Sequence, residues 1–160
     1  YTPFGYSDYQ TIVGNIKKFS ADGKTAVIST INGDSNVPFY KELANQGIKA
    51  TDVPVIAFSV GEEELRGIDT KPLVGNLAAW NYFQSVDNPT NKTFVEQWKA
   101  YAKAHKLPNA DTAVTNDPME ATWVGMHMWA QAVEKAKSTD VDKVRAAMAG
   151  QTYPAPSGFR

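Results

Sequence analysis

Apolar positions recur along this chain in two rhythms. The first is helical. Ile12, Val13, Ile16 and Phe19 fall at spacings of one, three and three, and Ser7 stands three residues before Gln10 in capping-box fashion. The pattern predicts a helix that opens at Ser7 and ends at Asp22-Gly23. The second rhythm is a set of short, β-branched apolar runs bounded by turn residues. Thr25 to Ile31 and Pro54 to Ser59 read as strands buried on both faces, and Leu73 to Ala79 reads as a third.

Helical stretches separate and follow these runs. Phe39, Tyr40, Leu43 and Ala44 give an inward stripe that Gly47 stops, and Glu62-Glu63-Glu64-Leu65 opens a short helix. Asn91 to Lys106 is amphipathic through Phe94, Trp98 and Tyr101. Asp117 at N-cap, Pro118 at N1 and Glu120 at N3 predict a helix running to about Lys137. Thr139 caps a last one, with Val141, Val144 and Met148 inward and Gly150 beyond. Strands alternating with helices predict an α/β fold with a mostly parallel sheet, a three-layer αβα Rossmann-like arrangement. The second half is mostly helical.

Composition narrows the function. The 160 residues carry 16 basic and 17 acidic side chains, a net charge of −1. Nucleic acid and anionic membrane surfaces call for a basic footprint, so neither is expected as a partner. No apolar run reaches the roughly 18 residues of a membrane span. Cysteine is absent, which excludes disulfides, thiolate metal sites and cysteine nucleophiles. The chain opens on Tyr1 without an initiator Met and stops at Arg160 after a Pro-rich passage, which predicts a piece of a longer protein.

In open parallel sheets, ligands bind beyond the carboxyl ends of the strands. Two such ends lead into polar loops here: Thr30-Ile31-Asn32-Gly33-Asp34-Ser35-Asn36, and Ser59-Val60-Gly61-Glu62. Each precedes a helix N-terminus, whose free N–H groups suit a carbonyl oxygen or an anion. Asn32, Asp34, Ser59 and Glu62 would accept hydrogen bonds from N–H groups. One acceptor with several donors is the pattern of a small planar amide. The same residues would equally serve as helix caps and turn closers. Trp80-Asn81-Tyr82-Phe83, after the third run, offers either a flat aromatic wall for a planar ligand or a packed core.

Other chemistries find little footing. The Gly33 loop lacks the Gly-Lys-Ser/Thr ending of a phosphate cradle, and Gly61 has no second glycine at dinucleotide spacing. Three consecutive glutamates splay by about 100° each on a helix, unlike the facing carboxylates of a hydrolase. His105 and His127 stand at unrelated positions and complete neither a metal motif nor a triad. Asn91-Lys92-Thr93 matches a glycosylation sequon but lies at a helix start. No cofactor is expected. Trp123 and Met126 lie off the main apolar face of the helix after Asp117, so that helix is expected to be either central or covered by a second surface.

Long stretches resemble a known family. They include Tyr-Thr-Pro-Phe-Gly at 1–5, Ser-Thr-Ile-Asn-Gly-Asp-Ser-Asn-Val-Pro-Phe-Tyr-Lys-Glu-Leu at 29–43 and Phe-Ser-Val-Gly-Glu-Glu-Glu-Leu at 58–65. Leu-Ala-Ala-Trp-Asn-Tyr-Phe at 77–83, Val-Thr-Asn-Asp-Pro-Met-Glu-Ala at 114–121 and Thr-Asp-Val-Asp-Lys-Val-Arg-Ala-Ala at 139–147 extend the likeness over nearly the whole chain. The chain resembles the urea and short-chain amide substrate-binding proteins of ABC transporters, within the type I periplasmic binding protein superfamily. That resemblance implies two α/β lobes joined by three crossovers, with ligand held in the cleft between them. Residues 1–160 would form a single α/β lobe, the second of the two. Its first strand and helix would lie upstream, and its closing strands downstream.

The resemblance further implies a non-enzymatic receptor in the periplasm or an equivalent extracytoplasmic space. A membrane permease would be its partner, and a small neutral amide, urea foremost, its ligand. Carried over by position, ligand contacts fall on Thr30, Asn32, Gly33 and Asp34, and on Phe58, Ser59 and Glu62, with Trp80 and Tyr82 as further candidates. The acid that binds ammonium in the amino-acid-binding branch falls near Phe58, an apolar residue, which favours a neutral ligand. A cytoplasmic amide sensor controlling an amidase operon, a branched-chain amino-acid-binding protein and an amide hydrolase stay open as alternatives. A signal segment upstream would separate the transport receptor from the sensor.

Overall fold

The computed structural model describes residues 1–159, which divide into two compact units, one of residues 1–80 and one from Asn81 onward. Among the described residues, all strands lie in the first. Its elements are α1 (Gln10–Phe19), β1 (Val27–Ser29), α2 (Asn36–Asn45), β2 (Val55–Ala57), α3 (Glu62–Leu65) and β3 (Leu77–Ala78), with 3-10 turns at Ser20–Asp22, Gly33–Ser35 and Lys71–Leu73. The three strands form one parallel sheet in the order β1-β2-β3. Val27 pairs with Val55, Ser29 with Ala57, and Ala57 with Ala78. The α/β fold with a parallel sheet, read from the sequence, is what the chain adopts.

The strands are shorter than their apolar runs. β3 keeps two residues because Lys71–Leu73 turns into a 3-10 helix and Gly75 takes φ +101°. Asn76 then substitutes a side chain for a ladder carbonyl: its Oδ1 accepts from the Val55 N–H at 2.9 Å. β1 does not have two buried faces. Ser29 is buried, whereas Ile28 is 71% exposed on the other side, where no element among the described residues covers it.

The core of this unit joins both long helices to β2. Tyr9 and Val13 from the start of α1 and Phe39, Tyr40 and Leu43 from α2 pack with Val55, Ala57 and Val60. Tyr6, Tyr9, Phe39 and Tyr40 meet edge to face in sequence, with centroids 5.1–5.3 Å apart, a geometry that aromatic quadrupoles favour. α1 starts at Gln10 rather than Ser7. Ser7 makes no cap, and Asp8 instead accepts from the Gln10 N–H at 3.3 Å. Tyr9, which the Ser7 start would place in the first turn, is the N-cap residue and a buried core ring.

Burial leaves a pH signature. Desolvation pushes the Tyr40 phenol up from 10.0 to about 12. An unfolded chain releases that proton near pH 10, whereas the folded chain keeps it to about pH 12. The stability tied to neutral Tyr40 is therefore whole below pH 10 and lost as pH rises toward 12. Unfolding midpoints should fall across this window in the parent and fall less in Tyr40→Phe. Equal slopes for the two would remove Tyr40 as the cause.

The second unit is helical: α4 (Pro89–Ala104), α5 (Asp117–Ala136) and α6 (Val141–Met148), with a 3-10 turn at Ala110–Thr112. α4 is capped by Asn88, whose side chain accepts from the Asn91 N–H at 2.8 Å. α5 is capped by Asn116 through the Met119 N–H at 3.1 Å, so Asp117 is displaced from the expected N-cap to the first helical position. Asp140, not Thr139, caps α6. Ala132 of α5 packs with Val144 and Ala147 of α6. Val141, expected inward, is 77% exposed at the first position of α6.

Candidate functional site

The two loops singled out by the sequence lie beyond the carboxyl ends of adjacent paired strands. The ladder between β1 and β2 closes with the Phe58 N–H donating to Ser29 O at 3.2 Å. Past this rung the backbones part, one turning into the 3-10 helix Gly33–Ser35 and the other running to α3. Gly33 enters that turn at φ +61°, a left-handed conformation that glycine takes without strain.

One side chain spans the gap. Asn36, fully buried at the head of α2, donates through Nδ2 to Ile31 O at 3.0 Å, Gly33 O at 3.1 Å and Ser59 O at 3.2 Å. The first two acceptors belong to the first loop and the third to the second. Its Oδ1 is buried without a hydrogen-bond partner among the described residues. An unmet buried acceptor costs about 1–3 kcal/mol, which the three donated bonds offset. The sequence placed Asn36 in the loop but gave no sign that its amide would join two loops 23 residues apart.

The proposed contact residues separate by environment. Thr30, Asn32, Gly33 and Asp34 are exposed, and Asn32 donates a long bond, 3.3 Å, from Nδ2 to Thr30 O. Phe58 is 45% exposed, while Ser59 and Glu62 are half-buried. Beside β1 a cavity of about 420 Å³ is lined by Thr30, Asn32 and Ser35, and by Tyr9 and Phe39. The Tyr9 and Ser35 hydroxyls are buried there with no partner among the described residues. Such hydroxyls can both donate and accept.

Trp80 is half-buried and lies on the second loop. A Cβ built on Gly61 would stand 2.7 Å from its Cζ3 atom. Glu64 reaches back to accept from the Gly61 N–H at 2.8 Å, and Glu63 pairs with Arg66. The glutamate run thus braces a helix start. Gly61→Ala should displace the indole and destabilise the unit by about 1–3 kcal/mol, the usual cost of overpacking. Thermal unfolding with near-UV circular dichroism reads both changes. An unaltered midpoint and aromatic spectrum would show that the ring does not rest on Gly61.

Tyr82 does not join the exposed set. It lies in the second unit, is 0% exposed, and its hydroxyl sits 2.7 Å from both Asn91 Oδ1 and Thr115 Oγ1. Gln84 accepts from the Thr115 N–H, and Asp117 accepts from the Asn81 and Tyr82 N–H groups at 2.7 and 2.9 Å. Of the two readings of Tyr82, a flat wall or a packed core, its burial matches the packed one. Asn91 is buried in the same network, donating to Gln84 O and Val86 O, which leaves its sequon no free amide. His127 stacks on Tyr153 at 4.9 Å and His105 on Tyr101 at 3.9 Å.

This arrangement has known relatives. The chain belongs to the periplasmic binding protein domain family, whose model matches residues 1–159. It is similar to the Leu/Ile/Val-binding protein homolog 6 of Brucella melitensis biotype 1, 26% identical over 159 residues, covering 98% of this chain and 38% of that protein. A segment of 89 residues is 33% identical to a limonene hydroxylase of Geobacillus stearothermophilus, covering 56% of this chain and 15% of that one. Two crystal structures share the fold. One is a solute-binding protein of an ABC transporter from Rhodopseudomonas palustris BisB5 in complex with 3,4-dihydroxybenzoic acid. Its TM-score is 0.76 at 21% identity, covering 94% of this chain and 39% of that one. The other is an R. palustris ABC-transporter solute-binding protein in complex with 4-hydroxybenzoate. Its TM-score is 0.69 at 19% identity, covering 99% of this chain and 41% of that one. The chain therefore spans well under half the length of these relatives.

Proposed function

We propose that this chain is a ligand-binding part of an extracytoplasmic solute-binding protein that captures urea or a short-chain amide and presents it to an ABC-transporter permease. The observation that carries this reading is the pair of polar loops beyond β1 and β2, joined by the Asn36 amide. Thr30, Asn32 and Asp34 present side-chain acceptors from one loop, and Ser59 and Glu62 from the other, with Phe58 beside them. A ligand with several N–H donors pairs with such a set. A carboxylate ligand would meet the like charges of Asp34 and Glu62, at a cost in affinity. Trp80 supports the second loop from behind. The protein performs no chemistry on its ligand. Its task is differential affinity between open and closed forms.

Thermal unfolding of the full-length protein tests this against urea, formamide, acetamide, leucine and 4-hydroxybenzoate, each at millimolar concentration. A ligand at about 100 times its Kd adds roughly 2.7 kcal/mol to the folded state. A rise in midpoint with urea or an amide supports the reading. A rise with leucine alone moves the protein to the amino-acid branch, and one with 4-hydroxybenzoate alone to aromatic acids.

A further inference from the structure

We infer that Asn36 is a positioning residue that locks the two loops into one rigid pair and so sets the size of ligand they accept; this rests on reading those loops as the binding site. The backbone ladder ends at the bond from Phe58 to Ser29. Beyond it the Asn36 amide is the side chain that reaches from Ile31 and Gly33 to Ser59. Two amide hydrogens serve three carbonyls, so at least one hydrogen is shared. Flipping the amide would set its oxygen against all three acceptors, so only one orientation is tolerated.

The placement has consequences. Asn36 begins α2, and its backbone moves with the first loop through the adjoining turn Gly33–Ser35. Its grip on Ser59 therefore transmits any shift of one loop to the other. Full burial keeps water from replacing the donors. A ligand that bridges both loops then meets a fixed span, and a span held to a fraction of an ångström discriminates by size.

Hydrogen exchange and calorimetry on the full-length protein test this with Asn36→Ala and with Asn36→Ser, which keeps a small polar group should the alanine variant not fold. Amides at 31–35 and 59–61 should exchange together about tenfold faster, while 39–45 of α2 stay within twofold. Urea affinity should fall about tenfold, and the preference between urea and acetamide should narrow. A residue serving stability alone would speed exchange throughout the unit and leave both the affinity of the folded fraction and the preference unchanged. That result overturns the inference, as does faster exchange in one loop only. If the parent binds neither amide, the functional reading fails, and the exchange pattern by itself decides the role of Asn36.

Discussion

Asp34→Ala in the full-length protein should weaken urea or amide binding by about 10- to 100-fold, the effect of removing a charge-assisted hydrogen bond of about 1.5–3 kcal/mol. Asn32→Ala should cost less, about tenfold, for a neutral bond. Neither change should unfold the protein. Asp34 is exposed within the 3-10 turn, and among the described residues the Asn32 side chain makes only its long bond to Thr30 O. Surface substitutions of this kind shift stability by no more than about 0.5 kcal/mol. Calorimetric titration beside a guanidinium melt separates the two effects. Unchanged affinity in both variants would remove the first loop from the site.

The largest effect on folding should come from Tyr82. Tyr82→Phe keeps the ring but strands the buried Asn91 side-chain oxygen, and leaves the Thr115 hydroxyl with its 3.3 Å bond to Gln84 Oε1. The expected loss is about 1–3 kcal/mol. Tyr82→Ala also opens a cavity beside Phe94, whose ring centroid lies 5.9 Å away, and should cost about 3–5 kcal/mol. Guanidinium is the denaturant of choice, since urea is itself the proposed ligand. Ligand affinity of the folded variants should match the parent. A Tyr82→Phe protein that unfolds at the parent's midpoint yet binds ligand more weakly would return Tyr82 to the site.

Much of the first unit was legible because its signals are local. The β-branched runs at 25–31 and 54–59 contain the observed strands, and Phe39, Tyr40 and Leu43 repeat with the period of the helix they form. What failed to show depends on distant partners. Asn116 and Asp117 are both good caps. Asp117 instead serves the Asn81 and Tyr82 N–H groups, 36 and 35 residues away, which no local pattern announces. Tyr82 and Trp80 look alike as aromatic residues after a strand. Only the positions of Thr115 and Gly61 decide that one is buried and the other rests on a loop.

The same division runs through the candidate site. Its loops could be read because strand ends followed by polar residues and glycine are a sequence feature. Its internal brace could not. Asn36 looks like any helix-start asparagine until the pairing of β1 with β2 brings Ser59 within 3.2 Å of its amide. The uncovered side of β1 was hidden for a related reason. A continuous apolar run signals what a strand is able to bury, and here Ile28 stays exposed.

Calorimetric titration of the full-length protein with urea tests the central claim most directly. Saturable one-site binding, with acetamide competing and leucine and 4-hydroxybenzoate silent, is the predicted result. No heat from urea or acetamide, with saturable binding of leucine or 4-hydroxybenzoate, would contradict it.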